Sequence, residues 1–191
     1  FHPIVELSLT YHNQVVGANG QRQAMYLENV SGLAAKILRN FDISKQDSAL
    51  VISSSGCNVV PVEMAQGFKE RGLEVVAILG RKHMDACESR LPDGRKLADF
   101  ADIVLDTGIP AGDSMTRVEG LAEPVSPGSS IGSVLLVNTI KAEVAARLTE
   151  AGAPPKVLAA SCIVGKERAA ELFDAAYDEH AHRIARLYEN L

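Results

Sequence analysis

Three consecutive serines, Ser53, Ser54 and Ser55, followed by Gly56, Cys57 and Asn58, are the residues whose types and spacing best suit chemistry in this chain. They stand between a short apolar, β-rich run (49–52) and the start of a helical pattern, so hydroxyls and free amides collect where a helix begins. Gly56 permits a tight turn, the hydroxyls can donate to several oxygens at once, and the helix N-terminus adds partial positive charge without a lysine. That combination suits an anion, and a phosphate on a small molecule is the natural guest. The alternative is a strand-to-helix turn that uses Ser and Gly only for capping.

A second hydroxyl cluster, Ser126-Pro127-Gly128-Ser129-Ser130, opens the helix predicted over 131–150. Two such loops in one domain point to a bound phosphate or polyol more strongly than either alone. Between them, Asp106 and Asp113 bracket a Gly/Pro-rich loop off a strand's C-terminal end, against the alternative of a solvent loop. His12 and His83 fall in irregular segments and are candidates to relay protons, against the alternative of surface histidines. Arg90 and Asp93 sit in the same polar stretch, 80–94. Cys57 has no adjacent His in sequence to make it a nucleophile.

The elements that must position these residues follow from periodicity. Apolar residues at Tyr26, Leu27, Val30, Leu33, Ala34, Ile37 and Leu38 predict one helix over 23–40. Strands are expected over 48–53, 75–79 and 101–106, with a helix over 59–71 between the first two and Pro61 tolerated in its first turn. Strand, helix and strand in that order imply a parallel sheet. Ligands of such sheets bind beyond the C-terminal strand ends, where the serine loop lies. A short edge strand is expected over 123–125. The helix over 131–150 reads as the most buried of the chain, 157–160 reads as extended, and a long amphipathic helix is expected over 166–191. Residues 1–20 read as a loop, and the opening Phe1-His2-Pro3-Ile4-Val5 resembles a strand's exit, so an upstream segment is expected.

Composition narrows the function classes. A chain of 191 residues, 47% apolar and 23% charged, is long enough to bury a proper core. Its net charge of -5 and lack of a basic stripe argue against nucleic acid. No apolar run approaches the ~20 residues of a membrane span. Three irregularly spaced cysteines, Cys57, Cys87 and Cys162, suggest neither a disulfide framework nor a zinc site, and a cytoplasmic location is expected.

With these residues laid out, the chain resembles the SIS (sugar isomerase) domain, a phosphosugar-binding three-layer αβα sandwich with a parallel, flavodoxin-like sheet. The resemblance rests on Ile52-Ser53-Ser54-Ser55-Gly56 and on Ser129-Ser130. More narrowly, SSSGCNVVPVEMA, LDTGIPAGD and the SPGSS loop with its following apolar helix are similar to the signatures of a poorly characterised bacterial group of sugar isomerase domain proteins. The likeness covers roughly residues 3–165, expected as an SIS domain (1–165) lacking its N-terminal strand and helix, with a C-terminal helix (166–191). It implies that Ser53, Ser55, Gly56 and Asn58 hold a phosphate and that Ser129, Ser130 and Asp113 contact the sugar. Glu28 matches an acid of the narrower group and becomes, with His12 and His83, a candidate catalytic residue for aldose–ketose proton transfer; a solvated helix face is the alternative for Glu28. Glu63 also matches. No cofactor or metal is implied, and a homo-oligomer with a shared site is. Cys57 stands where the family usually has a basic residue, and the Gln-Glu pair of phosphoheptose isomerases is replaced by apolar residues. A non-catalytic phosphosugar sensor is the rival reading.

Overall fold

The computed structural model describes residues 21–189 of the chain. Three parallel strands, β1 (Ser48–Ile52), β2 (Glu74–Leu79) and β3 (Ile103–Asp106), form a sheet in the order β1-β2-β3. Leu50 pairs with Val76 and Ile78 with Leu105. Val75, Ala77, Ile78 and Leu79 of the central strand are fully buried, which is why β2 is continuously apolar instead of alternating. Parallel neighbours need crossovers, and α3 (Val59–Glu70) supplies the first. Its Val60, Val62, Ala65 and Phe68 are buried, the larger side chains of Val60, Val62 and Phe68 contributing roughly 1.5–3 kcal/mol each where burial is complete. A 3-10 turn over Leu97–Phe100 leads into β3, with Leu97 fully buried.

Four elements depart from the sequence expectation. The helix expected over 23–40 is broken into α1 (Gln21–Leu27) and α2 (Leu33–Leu38). Gly32 adopts φ 80, and its N–H donates to the Glu63 carboxylate (2.8 Å) instead of to the Glu28 carbonyl a turn back. That carbonyl accepts from the Val60 N–H of α3 instead (2.9 Å), so tertiary hydrogen bonds replace the helical ladder. The stretch expected to be irregular after Gly80 begins with a short helix, α4 (Arg81–Ala86). The expected edge strand is β5 (Val125–Pro127), paired antiparallel with β4 (Ser114–Thr116) in a separate two-stranded sheet.

The fourth departure concerns α5 (Ser129–Glu150), expected to be the most buried helix: none of its residues is buried, and Ile131 and Val134 are 66% and 60% exposed. Its apolar residues run around the helix instead of forming one stripe, so no single face of this element can hide them all. Residues 157–160 have no strand partner among the described residues; α6 (Ser161–Val164) and α7 (Lys166–Arg186) follow, separated by Gly165. The described residues fall into two compact units, 21–39 with 43–138, and 40–42 with 139–189. That division falls within α5. No helix among the described residues is long and apolar enough to cross a membrane.

Candidate phosphate-binding cleft

The loop after β1 is pinned to the sheet's C-terminal edge by hydrogen bonds that continue the ladder past the strands. Ser53 N–H donates to Ile78 O (3.0 Å), Gly80 N–H to Ser54 O (3.0 Å) and Thr107 N–H to Leu79 O (2.9 Å). Gly56 then turns at φ 66, and an added Cβ there would meet Leu79 Cδ2 and Leu97 Cβ, each at 3.1 Å. A side chain at this position is disfavoured twice over, by the positive φ and by tight contact with Leu79 and Leu97.

Within the loop the hydroxyls act first as acceptors. Gly56 N–H donates to Ser53 Oγ (3.0 Å) and Cys57 N–H to Ser55 Oγ (3.3 Å). Each of these hydroxyls keeps its own proton available to donate. The amides of Ser54, Ser55, Asn58 and Val59 donate to no acceptor among the described residues, and the last two open α3. Free amides at a helix start beside polarised hydroxyls form a surface for an oxyanion. The Gly56 amide, assigned to the ligand on sequence grounds, is instead occupied by Ser53.

A cleft of about 930 Å³ opens over this loop. Of the residues singled out in the sequence, it brings together Glu28, Ser53, Ser55, Asn58, His83 and Asp113. Asn58 Nδ2 donates to the Glu28 carboxylate, so the helix break at 28–32 has a consequence for the site: it delivers Glu28 to the serine loop. On α4, His83 Nδ1 accepts from the Gly112 N–H (2.8 Å). That bond requires Nδ1 to be unprotonated, which puts the proton of the neutral ring on Nε2. His12 lies outside the described residues.

Gly56, Ser129 and Ser130 do not line the cleft. Ser129 is engaged by Asp113, which accepts from Ser129 Oγ (2.6 Å), Ser129 N–H (2.7 Å) and Gly128 N–H (3.0 Å), with Ser54 Oγ at 3.4 Å. Burial would raise the Asp113 carboxyl, but these hydrogen bonds outweigh it and hold it below the usual carboxylate range. Most of its acceptor capacity is therefore spent in fastening the start of α5 to the loop over 110–113. Asp106 is likewise held low, chiefly by the Gly108 N–H and then by the Arg81 N–H. Glu63 accepts from Ser31 Oγ and Gly32 N–H, a structural role at the start of α2.

The second wall, residues 87–90, is one that periodicity does not reveal. Arg90 N–H donates to Cys57 O (3.0 Å), Leu97 N–H to Gly56 O (2.8 Å), and Lys96 Nζ to the carbonyls of Met84 and Cys87 (2.8 and 2.7 Å). The irregular segment is thereby stapled to the serine loop. Cys57 is buried beneath it, and burial pushes its thiol up against the opposing pull of Lys96. A thiol held protonated is a packing group, not a nucleophile.

Residues 1–80 match the family model of the SIS domain. The chain is 33% identical to a UPF0309 protein of Brucella anthropi over 165 residues, 86% of this chain and 66% of that one. It is also 33% identical to UPF0309 proteins of Halalkalibacterium halodurans over 150 residues and of Streptomyces coelicolor over 139. These matches span 60% and 55% of the relatives, so in all three the chain spans less than two thirds of the relative's length.

Proposed function

Because the chain is a SIS-domain protein homologous to the UPF0309 proteins, we propose that it binds a phosphorylated sugar in the cleft over the serine loop and isomerises it between aldose and ketose. The observation that carries the binding half is the loop itself, with four amides unengaged among the described residues and two hydroxyls whose protons remain available at the C-terminal edge of a parallel sheet. Ser53, Ser55 and Asn58 anchor the phosphoryl oxygens. Gly56 acts through Ser53, and Ser129 and Asp113 act by fixing the neighbouring loop; Ser130 stands exposed at the same helix start.

The proton chemistry falls to Glu28 and His83. Aldose–ketose exchange removes a proton from the carbon beside the carbonyl and returns it to the former carbonyl carbon through an enediol. Glu28, oriented by Asn58, takes and returns that proton, while the Nε2–H of His83 donates to the oxygen on which negative charge develops. His12 is retained as a candidate for opening the sugar ring. Exposed apolar residues of α5, Ile131 and Val134, support a homo-oligomer with a shared site. Three unpaired cysteines suit a reducing cytoplasm.

Incubating the chain with aldose and ketose phosphates in heavy water tests the proposal. Proton NMR is expected to show deuterium entering at the carbon beside the carbonyl. Glu28→Gln is expected to slow that exchange by about a hundredfold or more while the sugar phosphate still binds. Binding without exchange in the unmodified chain would identify a phosphosugar sensor. Absence of binding to any sugar phosphate would remove the reading altogether.

A further inference from the structure

We infer that Arg90 is the cation that matches the charge of the bound phosphoryl group. The inference rests on the phosphosugar reading of the cleft. Among the described residues lining that cleft, Arg90 is the sole lysine or arginine, while Glu28, Glu88 and Asp113 contribute carboxyl groups. A phosphomonoester carries about −1.5 to −2 charges near neutral pH, and a charge-assisted bond from a guanidinium holds it more strongly than neutral amides and hydroxyls alone.

The segment that carries Arg90 holds two other cations, and both are spent on structure. Lys96 Nζ is bound to the carbonyls of Met84 and Cys87. Arg95 pairs with Asp93 (2.6 Å) and lies over the Phe100 ring, 4.6 Å from its centroid. The guanidinium of Arg90 has neither a carboxylate partner nor a hydrogen bond among the described residues, and its side chain is exposed. Its backbone is held in place, because its N–H is fixed to Cys57 O at the serine loop. Ser89 braces the same turn by donating to Arg95 O (2.6 Å) and accepting from Leu91 N–H (3.1 Å). A fixed root beside the loop and an uncommitted fork above it are what a bidentate phosphate contact requires.

Inorganic phosphate and a sugar monophosphate, titrated by calorimetry against the whole chain, test the assignment. Because the side chain is exposed and unpaired, Arg90→Gln is expected to fold with an unchanged circular-dichroism melt. It is expected to bind both probes roughly ten- to a hundredfold more weakly and with a shallower dependence on salt. Arg90→Lys should recover part of the affinity, since the charge returns without the fork. Unchanged phosphate affinity in Arg90→Gln, with affinity lost in Ser55→Ala, overturns the role of Arg90 and leaves the loop as the phosphate site. Failure of the unmodified chain to bind either probe overturns both.

Discussion

Two segments of this chain place small hydroxyl residues ahead of a helix, and in sequence they look alike. One is Ser53 to Asn58 before α3, the other Ser126 to Ser130 before α5. Their hydrogen bonds make them different devices. In the first, Ser53 and Ser55 accept from amides of their own loop and four further amides stay unengaged among the described residues. In the second, Asp113 takes the hydroxyl of Ser129 together with the N–H groups of Gly128 and Ser129. An internal carboxylate already occupies the anion site that the second helix start offers. A hydroxyl-rich helix start is thus open to a ligand only when the protein has not placed its own anion there.

The most damaging change to the first segment is predicted at its turn. Gly56→Ala forces φ 66 on a residue with a Cβ, costing about 1–2 kcal/mol. The new Cβ also presses on Leu79 and Leu97, adding about 1–3 kcal/mol of overpacking. Urea denaturation should show the midpoint falling with the slope unchanged, and phosphate affinity should fall with it. A midpoint equal to that of the parent would mean that the turn is not held by these contacts.

Asp113→Ala should break the second segment by a smaller amount, about 2 kcal/mol, because the Ser129 N–H and hydroxyl lose their acceptor while Gly128 N–H keeps the Asp113 carbonyl. The loss has a pH signature. The folded carboxyl lies below its unfolded value of about 3.9, so its contribution is complete above that value and disappears as pH falls through the folded one. The stability gap between parent and variant should therefore be constant near neutrality and narrow below about pH 4. A gap that persists at lower pH would assign the effect to backbone strain at φ 68 instead of to the carboxylate.

The frame was legible in the sequence because burial on both faces of β2 leaves an uninterrupted apolar run, and the Ser-Ser-Ser-Gly turn announces itself between strand and helix. The break between α1 and α2 was not. Val30 and Leu33 satisfy a helical period across it, while the groups that open it, Glu63 and the Val60 N–H, are about thirty residues away. The same distance hides the delivery of Glu28 to Asn58. The wall over 87–90 has no period at all, since its order comes from Lys96, Ser89 and the carbonyls of the serine loop. For α5 the error had the opposite origin: apolar composition was read as burial, although apolar residues also form much of a folded surface.

The mildest pair of substitutions separates the two hydroxyl segments most directly. Ser129→Ala removes one hydrogen bond to a carboxylate that retains its N–H donors, so a loss of about 1 kcal/mol in stability is expected, with phosphate affinity nearly unchanged. Ser55→Ala removes an acceptor from a long 3.3 Å bond, which costs the fold little, and also the hydroxyl proton proposed to reach the phosphate. Its phosphate affinity should fall about tenfold while its melt stays close to that of the parent. The two variants are therefore expected to exchange phenotypes, one losing stability without affinity and the other affinity without stability. If both lose affinity alike, Ser129 reaches the ligand in the bound state and Asp113 must release it. The two segments would then form one site, and the internal carboxylate would act as a stand-in for the phosphate that displaces it.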